Sequence, residues 1–445
     1  MSIYSKQRAV IGMGKTGLSC ARFLHNRGEK FSWFDTRKVP PSLSDIRKLF
    51  PDAGFYCGSL DSALLSNASE IIVSPGVSVM EPALQIAAQA GVSLIGDIEL
   101  FVRATKKPII AITGSNAKST VTTLVGEMAV ACGLHAGVGG NLGTPVLDML
   151  VDDAKIDCYI LELSSFQLET TFSLRATVAI ILNVSDDHMD RYSSLQDYTQ
   201  AKQKIYSNAQ HVVFNRADYL TNPSSDASVQ SLSFGLNDCA HGVGVAEHNG
   251  DSWLMLDGNI SLMRVADIHI AGNHNIANVA AAFAVANAAG WDLVACANAV
   301  RQFKGLPHRC QWVAEKNGVR FYNDSKGTNI GATVAAIEGL ASNKNIVLIA
   351  GGDGKDADFS QLAPAVKLHV KQLVLIGRDA EKIAAACADV AQIQAISMID
   401  AVQKSQKIAL TGDVVLLSPA CASFDMFDDY DDRGRQFCTA VEALV

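Results

Sequence analysis

Residues 108–123, Pro-Ile-Ile-Ala-Ile-Thr-Gly-Ser-Asn-Ala-Lys-Ser-Thr-Val-Thr-Thr, decide how this chain is read. Ile109 to Ile112 form a short apolar run suited to a buried strand. Gly114 supplies a tight turn, and Lys118, Ser119 and Thr120 open a helix. A strand that feeds a turn and then a helix N-terminus points free backbone N–H groups and the positive end of the helix dipole at one spot. A lysine there reaches phosphate oxygens, and a Ser or Thr hydroxyl can hold Mg2+. The stretch therefore predicts a nucleoside triphosphate cradle; an ordinary βα turn with a capped helix is the plainer alternative. Two details depart from the usual phosphate loop. Only Ser115, Asn116 and Ala117 stand between Gly114 and Lys118, and the position before the lysine is Ala117 where the pattern wants glycine.

The chain has 445 residues, which predicts roughly two to four domains. Hydrophobic residues make up 49% and charged residues 18%, the balance of a globular chain and not a disordered one. A net charge of −8 argues against a nucleic-acid or anionic-membrane partner. The ten cysteines contain no CxxC pair and read as reduced core thiols. No apolar signal core opens the chain and no run approaches a membrane span, so a soluble cytoplasmic protein without membrane insertion is expected.

Strand and helix alternate on both sides of the opening stretch. Arg8 to Ile11 ends in Gly12-Met-Gly-Lys-Thr-Gly17, a helix runs to Gly28, and Phe31 to Phe34 ends at Asp35-Thr-Arg37. Three glycines at these offsets and an acidic residue about 20 positions on are the dinucleotide fingerprint, which fixes only a diphosphate site. Asp35 either accepts from a ribose hydroxyl or caps the turn. Glu70 to Val73 gives out at Ser74-Pro-Gly76, another turn at a strand's C-terminal end, where α/β sheets bind ligands.

After the cradle, Gly137 to Gly143 reads as a glycine-dense turn around Asn141. Cys158 to Glu162 is an apolar strand that delivers a carboxylate at its end, the place for a metal-holding acid. Val178 to Leu182 leads to an Asp/His cluster at 186–190 that is either a metal or catalytic site or a solvated loop. Tyr198 to Tyr206 is a helix whose Lys202 and Lys204 read by themselves as solvated. Residues 210–270 suggest a small β excursion, with strand-like pieces at Ser233–Gly235, Trp253–Leu256 and Ile268–Ile270. Asn275 and Asn278 share one face of the first turn of an alanine-rich helix.

Gly305-Leu-Pro-His-Arg309 looks like a hinge into a third domain. Strands at 319–323, 346–350, 373–376 and 414–417 end in Asp324-Ser-Lys326-Gly-Thr328, Gly351-Gly-Asp-Gly-Lys355, Gly377-Arg-Asp379 and Ser418-Pro-Ala-Cys-Ala-Ser423-Phe424. The acidic run Asp428 to Arg433 reads as a solvated helix start. The fold class expected is α/β with three domains: a Rossmann-like sheet (1–97), a P-loop ATPase-like sheet with a small β excursion (98–305) and a second Rossmann-like sheet (306–445). One triphosphate cradle among three such layers points to an enzyme that brings a second substrate to ATP.

The segments Gly-Asp-Ile-Glu-Leu-Phe (96–101), Leu-Glu-Leu-Ser-Ser-Phe-Gln-Leu-Glu-Thr-Thr (161–171), Asp-His-Met-Asp-Arg-Tyr (187–192), Gly-Leu-Pro-His-Arg (305–309) and Leu-Ser-Pro-Ala-Cys-Ala-Ser (417–423), in this order, resemble the Mur ligase family over essentially the whole chain. The resemblance implies ATP-driven formation of an amide between UDP-N-acetylmuramoyl-L-alanine and D-glutamate, in cytoplasmic peptidoglycan precursor synthesis. It implies ATP held by Gly114, Ser115, Asn116, Ala117, Lys118, Ser119 and Thr120 with Asn275, Asn278, Arg309 and Asp324. Catalytic roles fall to Lys118, Glu162, His188 and Lys202. Two Mg2+ ions are implied, one on Ser119 and Glu162, the other on His188 with Lys202 as a carbamate. Carbamylation exchanges a repelling ammonium for an oxygen ligand, which Mg2+ prefers. The UDP-linked precursor falls to Gly14, Lys15, Thr16, Asp35, Thr36, Arg37, Ser74, Gly76, Asn141 and His188. D-Glutamate falls to Lys326, Thr328, Lys355, Ser423 and Phe424, two lysines suiting two carboxylates.

This sequence departs from the family's pattern at Ala117, where glycine is usual, at Phe424, where leucine is common, and at Cys310, where an aromatic is common. A monomer is expected. The rival readings are another Mur-type or folylpolyglutamate-type ligase, an NAD(P)-dependent oxidoreductase, and a binding protein that closes on ATP without making product.

Overall fold

A computed structural model describes residues 7–40, 43–185, 191–223, 230–248, 250–270, 272–354 and 357–444. Its strands fall into three sheets, in the order of the chain. The first holds β1 (Arg8–Ile11), β2 (Phe31–Asp35), β3 (Gly54–Cys57), β4 (Ile71–Val73) and β5 (Leu94–Ile95), in the order β3-β2-β1-β4-β5, with every pair parallel. This is a doubly wound order whose chain reverses direction at β1 and β4, so the turns after both strands open onto one crevice.

The second sheet contains β6 (Ile109–Thr113), β7 (Ala136–Gly140), β8 (Cys158–Glu162), β9 (Val178–Ile181), β10 (His211–Asn215), β11 (Gln230–Phe234), β12 (Gly242–His248), β13 (Asp251–Leu256) and β14 (Ile260–Arg264). Their order is β14-β13-β12-β11-β10-β9-β6-β8-β7. β6 is central, parallel to β8 and β9, and every one of its residues is buried, as an apolar run covered on both faces should be.

The third sheet contains β15 (Gln311–Lys316), β16 (Val319–Asn323), β17 (Ile346–Gly351), β18 (Val370–Ile376), β19 (Gln392–Gln394) and β20 (Val414–Leu417), ordered β15-β16-β20-β17-β18-β19. β15 is an antiparallel edge; the other pairs are parallel. The chain forms two compact units, one of residues 1–248, 253–262 and 278–299, the other of 249–252, 263–277 and 300–445. Among the described residues no helix is long and apolar enough to cross a membrane.

Several sequence expectations are corrected. Gly137 to Gly140 is not turn but strand β7: a Cβ on Gly137 would press on the Tyr159 ring, and one on Gly140 (φ 106) would run into the Glu162 carbonyl. With glycine at three of these four positions, the segment gives no apolar pattern to read. The small β excursion of residues 210–270 is formed by β10 to β14, which extend the central sheet. Ile268–Ile270 is not a strand; it follows the short 3-10 turn Val265–Asp267 and leads into the helix Asn273–Ala288. The acidic run at 428–433 does begin a helix, Tyr430–Glu442, capped by the Asp429 carboxylate, but Arg433 inside it is fully buried. All ten cysteines are free thiols, five of them buried.

Candidate active site

The turn after β6 is built by hydrogen bonds to the turn after β9. The Ser115 amide donates to the Asn183 carbonyl (2.9 Å), the Asn116 amide to Asn183 Oδ1 (2.8 Å) and the Ser185 amide to Ser115 Oγ (3.0 Å). This lacing forces Ala117 into the left-handed region, φ 64 and ψ 0, at the N-cap of the helix Lys118–Ala131. With Cβ in the way, such a conformation costs an L-residue roughly 1–2 kcal/mol.

Two lysines converge on this turn. Lys118 Nζ donates to the carbonyls of Gly114 and Ser115, both at 2.9 Å, and Lys202 Nζ donates to the same Gly114 carbonyl at 2.9 Å. Lys202 is not a solvated lysine. Its side chain is buried, with the ammonium 4.4 Å from the centre of the Tyr198 ring. Glu162 ends β8, beside β6 in the sheet, and is buried. Its Oε1 accepts from Asn141 Nδ2 at 2.7 Å while Oε2 has no hydrogen-bond partner among the described residues. A buried carboxylate oxygen left unpaired is costly, so the site fits a cation there. Ser119 and Thr120 lie in the first turn of the helix, on the same side of the cradle as its N-terminus. His188 lies outside the described residues, so the second metal set is represented here by Lys202 alone.

The first sheet's crevice is a cavity of about 490 Å³. It is lined by Gly14, Lys15, Thr16, Asp35, Thr36, Arg37, Ser74, Gly76 and Asn141, which are all the precursor-binding residues expected from the sequence apart from His188. Asp35 organises its wall. Its carboxylate accepts from the Met13 amide (2.7 Å) and from the Arg37 guanidinium by two bonds (2.8 and 2.7 Å). Burial pushes that carboxyl up, but the Arg37 and Met13 bonds outweigh it and hold the pKa below the ordinary aspartate value. These bonds are those of a turn cap. Gln167 also lines the cavity. Sequence reasoning missed it, although the spacing Ser164-Ser-Phe-Gln167 is that of the capping box it forms.

The second unit carries its own cluster at the C-terminal ends of β16, β17 and β20. Asp324 follows β16; its carboxylate accepts from Ser418 Oγ (2.7 Å) and the Cys310 amide (3.1 Å). Burial raises its pKa to about 6 in spite of those bonds. Lys326 is exposed, with its ammonium 5.1 Å from the centre of the Tyr430 ring, and Thr328 bonds back to its carbonyl. Arg309 is exposed beside this cluster, in a segment where His308 (φ 61) and Cys310 (φ 43) are both left-handed. Ser423 is buried, whereas Phe424 leaves 72% of its surface open. Lys355 lies outside the described residues. Asn275 and Asn278 sit early in the helix Asn273–Ala288, both nearly buried.

Arg433 is the unforeseen member. It donates to Ser325 Oγ (3.0 Å), the Ser325 carbonyl (2.8 Å) and the Cys421 carbonyl (3.1 Å), tying the loop after β16 to the loop after β20. Burial lowers its pKa to about 10. In sequence it stood in a run of aspartates, which suggested solvent.

A phosphate-type cradle, a buried acid on the adjacent strand and a separate unit with polar groups at its sheet edge fit an enzyme of the phosphoryl-transfer class that works on a second substrate. The chain belongs to the Mur ligase family: family models described as "Mur ligase MurD-like, N-terminal domain", "Mur ligase middle domain" and "Mur ligase, glutamate ligase domain" match residues 6–96, 112–286 and 308–421. It is 52% identical over 441 residues, 98% of each chain, to a UDP-N-acetylmuramoylalanine--D-glutamate ligase of Pseudomonas savastanoi pv. phaseolicola. Relatives of the same name from Pseudomonas aeruginosa and Marinobacter nauticus are 50% and 49% identical, over 98% and 99% of each chain. Among solved structures, a UDP-N-acetylmuramate-alanine ligase from Thermotoga maritima aligns with a TM-score of 0.57 at 18% identity, over 98% of this chain and 99% of that one. MurF from Acinetobacter baumannii aligns at 0.59 and 16%, over 99% and 95%. These two likenesses establish the shared three-sheet fold.

Proposed function

We propose that this chain joins D-glutamate to UDP-N-acetylmuramoyl-L-alanine with cleavage of ATP to ADP and phosphate, in the synthesis of peptidoglycan precursors. Relatives of that name, similar over the whole length, support the substrates. The observation that carries the chemistry is the cradle itself: Lys118 and Lys202 both bonded to the Gly114 carbonyl, with the unpaired oxygen of Glu162 on the neighbouring strand.

The terminal carboxylate of the precursor attacks the γ-phosphorus of ATP, forming an acyl phosphate and releasing ADP. The D-glutamate amine then attacks the acyl carbon, loses a proton, and expels phosphate as the amide forms. Such phosphoryl transfer asks the protein mainly for positioning and charge neutralisation. Lys118 leaves its carbonyl partners for the β/γ-phosphate oxygens. The helix N-terminus behind it adds its dipole. Ser119 and Glu162 present hard oxygen donors that fit Mg2+, which when bound neutralises phosphate charge. A second Mg2+ on His188 and carbamylated Lys202 is part of the same reading; Lys202's burial beside the cradle supports it.

The cavity of the first sheet receives the UDP-linked precursor, and the edge formed by Lys326, Thr328 and Ser423, with Lys355, receives D-glutamate. The same reading assigns Asn275, Asn278, Arg309 and Asp324 to ATP. On this reading the enzyme is cytoplasmic and monomeric, with working domains 1–97, 98–305 and 306–445. The test is ADP release measured with ATP, the UDP-linked precursor and each glutamate enantiomer. Release over many turnovers is expected only with ATP, the precursor and D-glutamate together; sustained release with L- but not D-glutamate, or without the precursor, overturns the assignment.

A further inference from the structure

The turn after β18, Gly377-Arg378-Asp379, belongs to none of the sites above, yet its charged groups are turned toward two of their loops. Asp379 stands at the N-cap of the helix Ala380–Ala386, where an aspartate ordinarily accepts from the amides of its own helix. Here it makes no such bond. Its Oδ2 instead accepts from the Gly354 amide at 2.7 Å, its Oδ1 pairs with Lys382 at 2.9 Å, and its own amide donates to the Gly352 carbonyl at 3.0 Å. Its residue surface is 6% exposed.

The segment Gly351–Gly354 thus held is in turn bonded to the loop after β20. The Asp353 amide donates to the Ala422 carbonyl (3.0 Å), the Ala422 amide to the Asp353 carbonyl (2.8 Å), and the Gly351 amide to the Pro419 carbonyl (2.9 Å). The Arg378 amide closes the triangle by donating to Asp425 Oδ2 at 2.8 Å. The approach is close enough to demand glycine. A Cβ on Gly352 (φ 131) would strike the Ala422 carbonyl, and one on Gly377 (φ 78) would lie 2.8 Å from Gly352 Cα.

We propose that Asp379 is a positioning residue for the amino-acid substrate, clamping the Gly351–Gly354 segment against the loop that carries Ser423 and Phe424 so that the two lips of the pocket keep a fixed spacing. This rests on the reading of that sheet edge as the D-glutamate site. Asp379 itself touches no substrate. A clamp of this kind acts on substrate binding and leaves the phosphoryl-transfer step in the other unit alone, so its loss appears in one KM.

The experiment is steady-state kinetics on the full-length enzyme with each substrate varied in turn. Asp379→Ser is the decisive variant, because a serine can cap its own helix but is too short to reach Gly354. Its KM for D-glutamate is expected to rise about tenfold, with kcat and the KM values for ATP and the UDP-linked precursor within about twofold. Asp379→Asn, whose amide oxygen still accepts from Gly354, is expected to restore the KM to within about threefold of wild type. An Asp379→Ser enzyme with unchanged KM for D-glutamate, or one that loses kcat and all three KM values together, overturns the clamp. Lys326→Ala serves as the reference. If it leaves the KM for D-glutamate unchanged, the assignment of the pocket fails; if it raises that KM while Asp379→Ser does not, the clamp alone fails.

Discussion

Replacing Ala117 by glycine separates strain paid in folding from strain paid in nucleotide binding. The residue sits at φ 64, ψ 0, and the bonds that impose this run between the turn's own residues and Asn183 and Ser185. The penalty therefore belongs to the folded chain as it stands. Relief of the left-handed conformation is worth roughly 1–2 kcal/mol. Against it, glycine adds freedom to the unfolded chain, which costs about 0.4–1 kcal/mol. The net is a gain of about 0.8 kcal/mol, or a rise in Tm of about 1 °C for a chain of 445 residues. Thermal and urea unfolding read the stability, and initial rates over a range of ATP read the KM. Ala117→Gly is expected to raise Tm and to leave the KM for ATP within about twofold. A KM that falls about tenfold with Tm unmoved refutes the reasoning, because it requires the turn to adopt its strained form only when ATP binds.

Glu162→Gln is expected to lower kcat at least about 100-fold while leaving Tm unchanged or higher, since an amide is cheaper to bury than an unpaired carboxylate oxygen; a lowered Tm with activity kept makes the carboxylate structural. Asp97 is buried and burial raises its pKa from 3.8 to about 6. A raised folded-state pKa gives stability that is fully present below the unfolded pKa and lost as pH climbs through about 6, so Asp97→Asn is expected to stabilise by up to about 3 kcal/mol at pH 8 and by almost nothing near pH 3.5. Urea unfolding at the two pH values checks it, and a gain independent of pH sinks it. Arg433→Met strands the Ser325 and Cys421 carbonyls, at about 1–3 kcal/mol each, and is expected to lower the unfolding midpoint; Arg433→Lys rescues little because an ammonium cannot fork between two loops.

The elements legible in the sequence were those that state their own pattern. β6 announces itself as Ile109-Ile-Ala-Ile, β20 as Val414-Val-Leu-Leu, and the two glycine turns by the conformations they need. The cavity of the first sheet is walled by glycine turns at strand ends, and such turns carry their chemistry in a few adjacent residues; which molecule it takes came from the family resemblance, not from the turns. What stayed hidden depends on partners distant in the chain. β7 is a strand because it pairs with β8, whose Tyr159 ring and Glu162 carbonyl leave room only for glycine at 137 and 140, and no local pattern records that. Lys202 and Arg433 looked solvated because burial of a cation is set by what packs over it: Tyr198 and the Gly114 carbonyl for one, Ser325 and Cys421 for the other.

These buried charges have a common logic. A lysine or arginine taken out of water without a carboxylate beside it is expensive unless several oxygens surround it. Arg433 is met by two backbone carbonyls and a hydroxyl, a full set for its fork, and the result is rigid: two loops held at one spacing. Around Glu162 the books are left open, with one oxygen bonded to Asn141 and the other to nothing. Glu162 Oε2 is one of seven buried side-chain atoms without a partner among the described residues, and what sets it apart from the others is its place on the strand beside the Gly114 turn. Converting Asn141 to alanine would leave both Glu162 oxygens unpaired, and the expected outcome is a site that loses stability while its cation affinity changes little, read by unfolding with and without Mg2+. A loss of Mg2+ stabilisation instead would show that Asn141 aims the carboxylate, and the open valence at Oε2 would then be insufficient by itself to define the metal site.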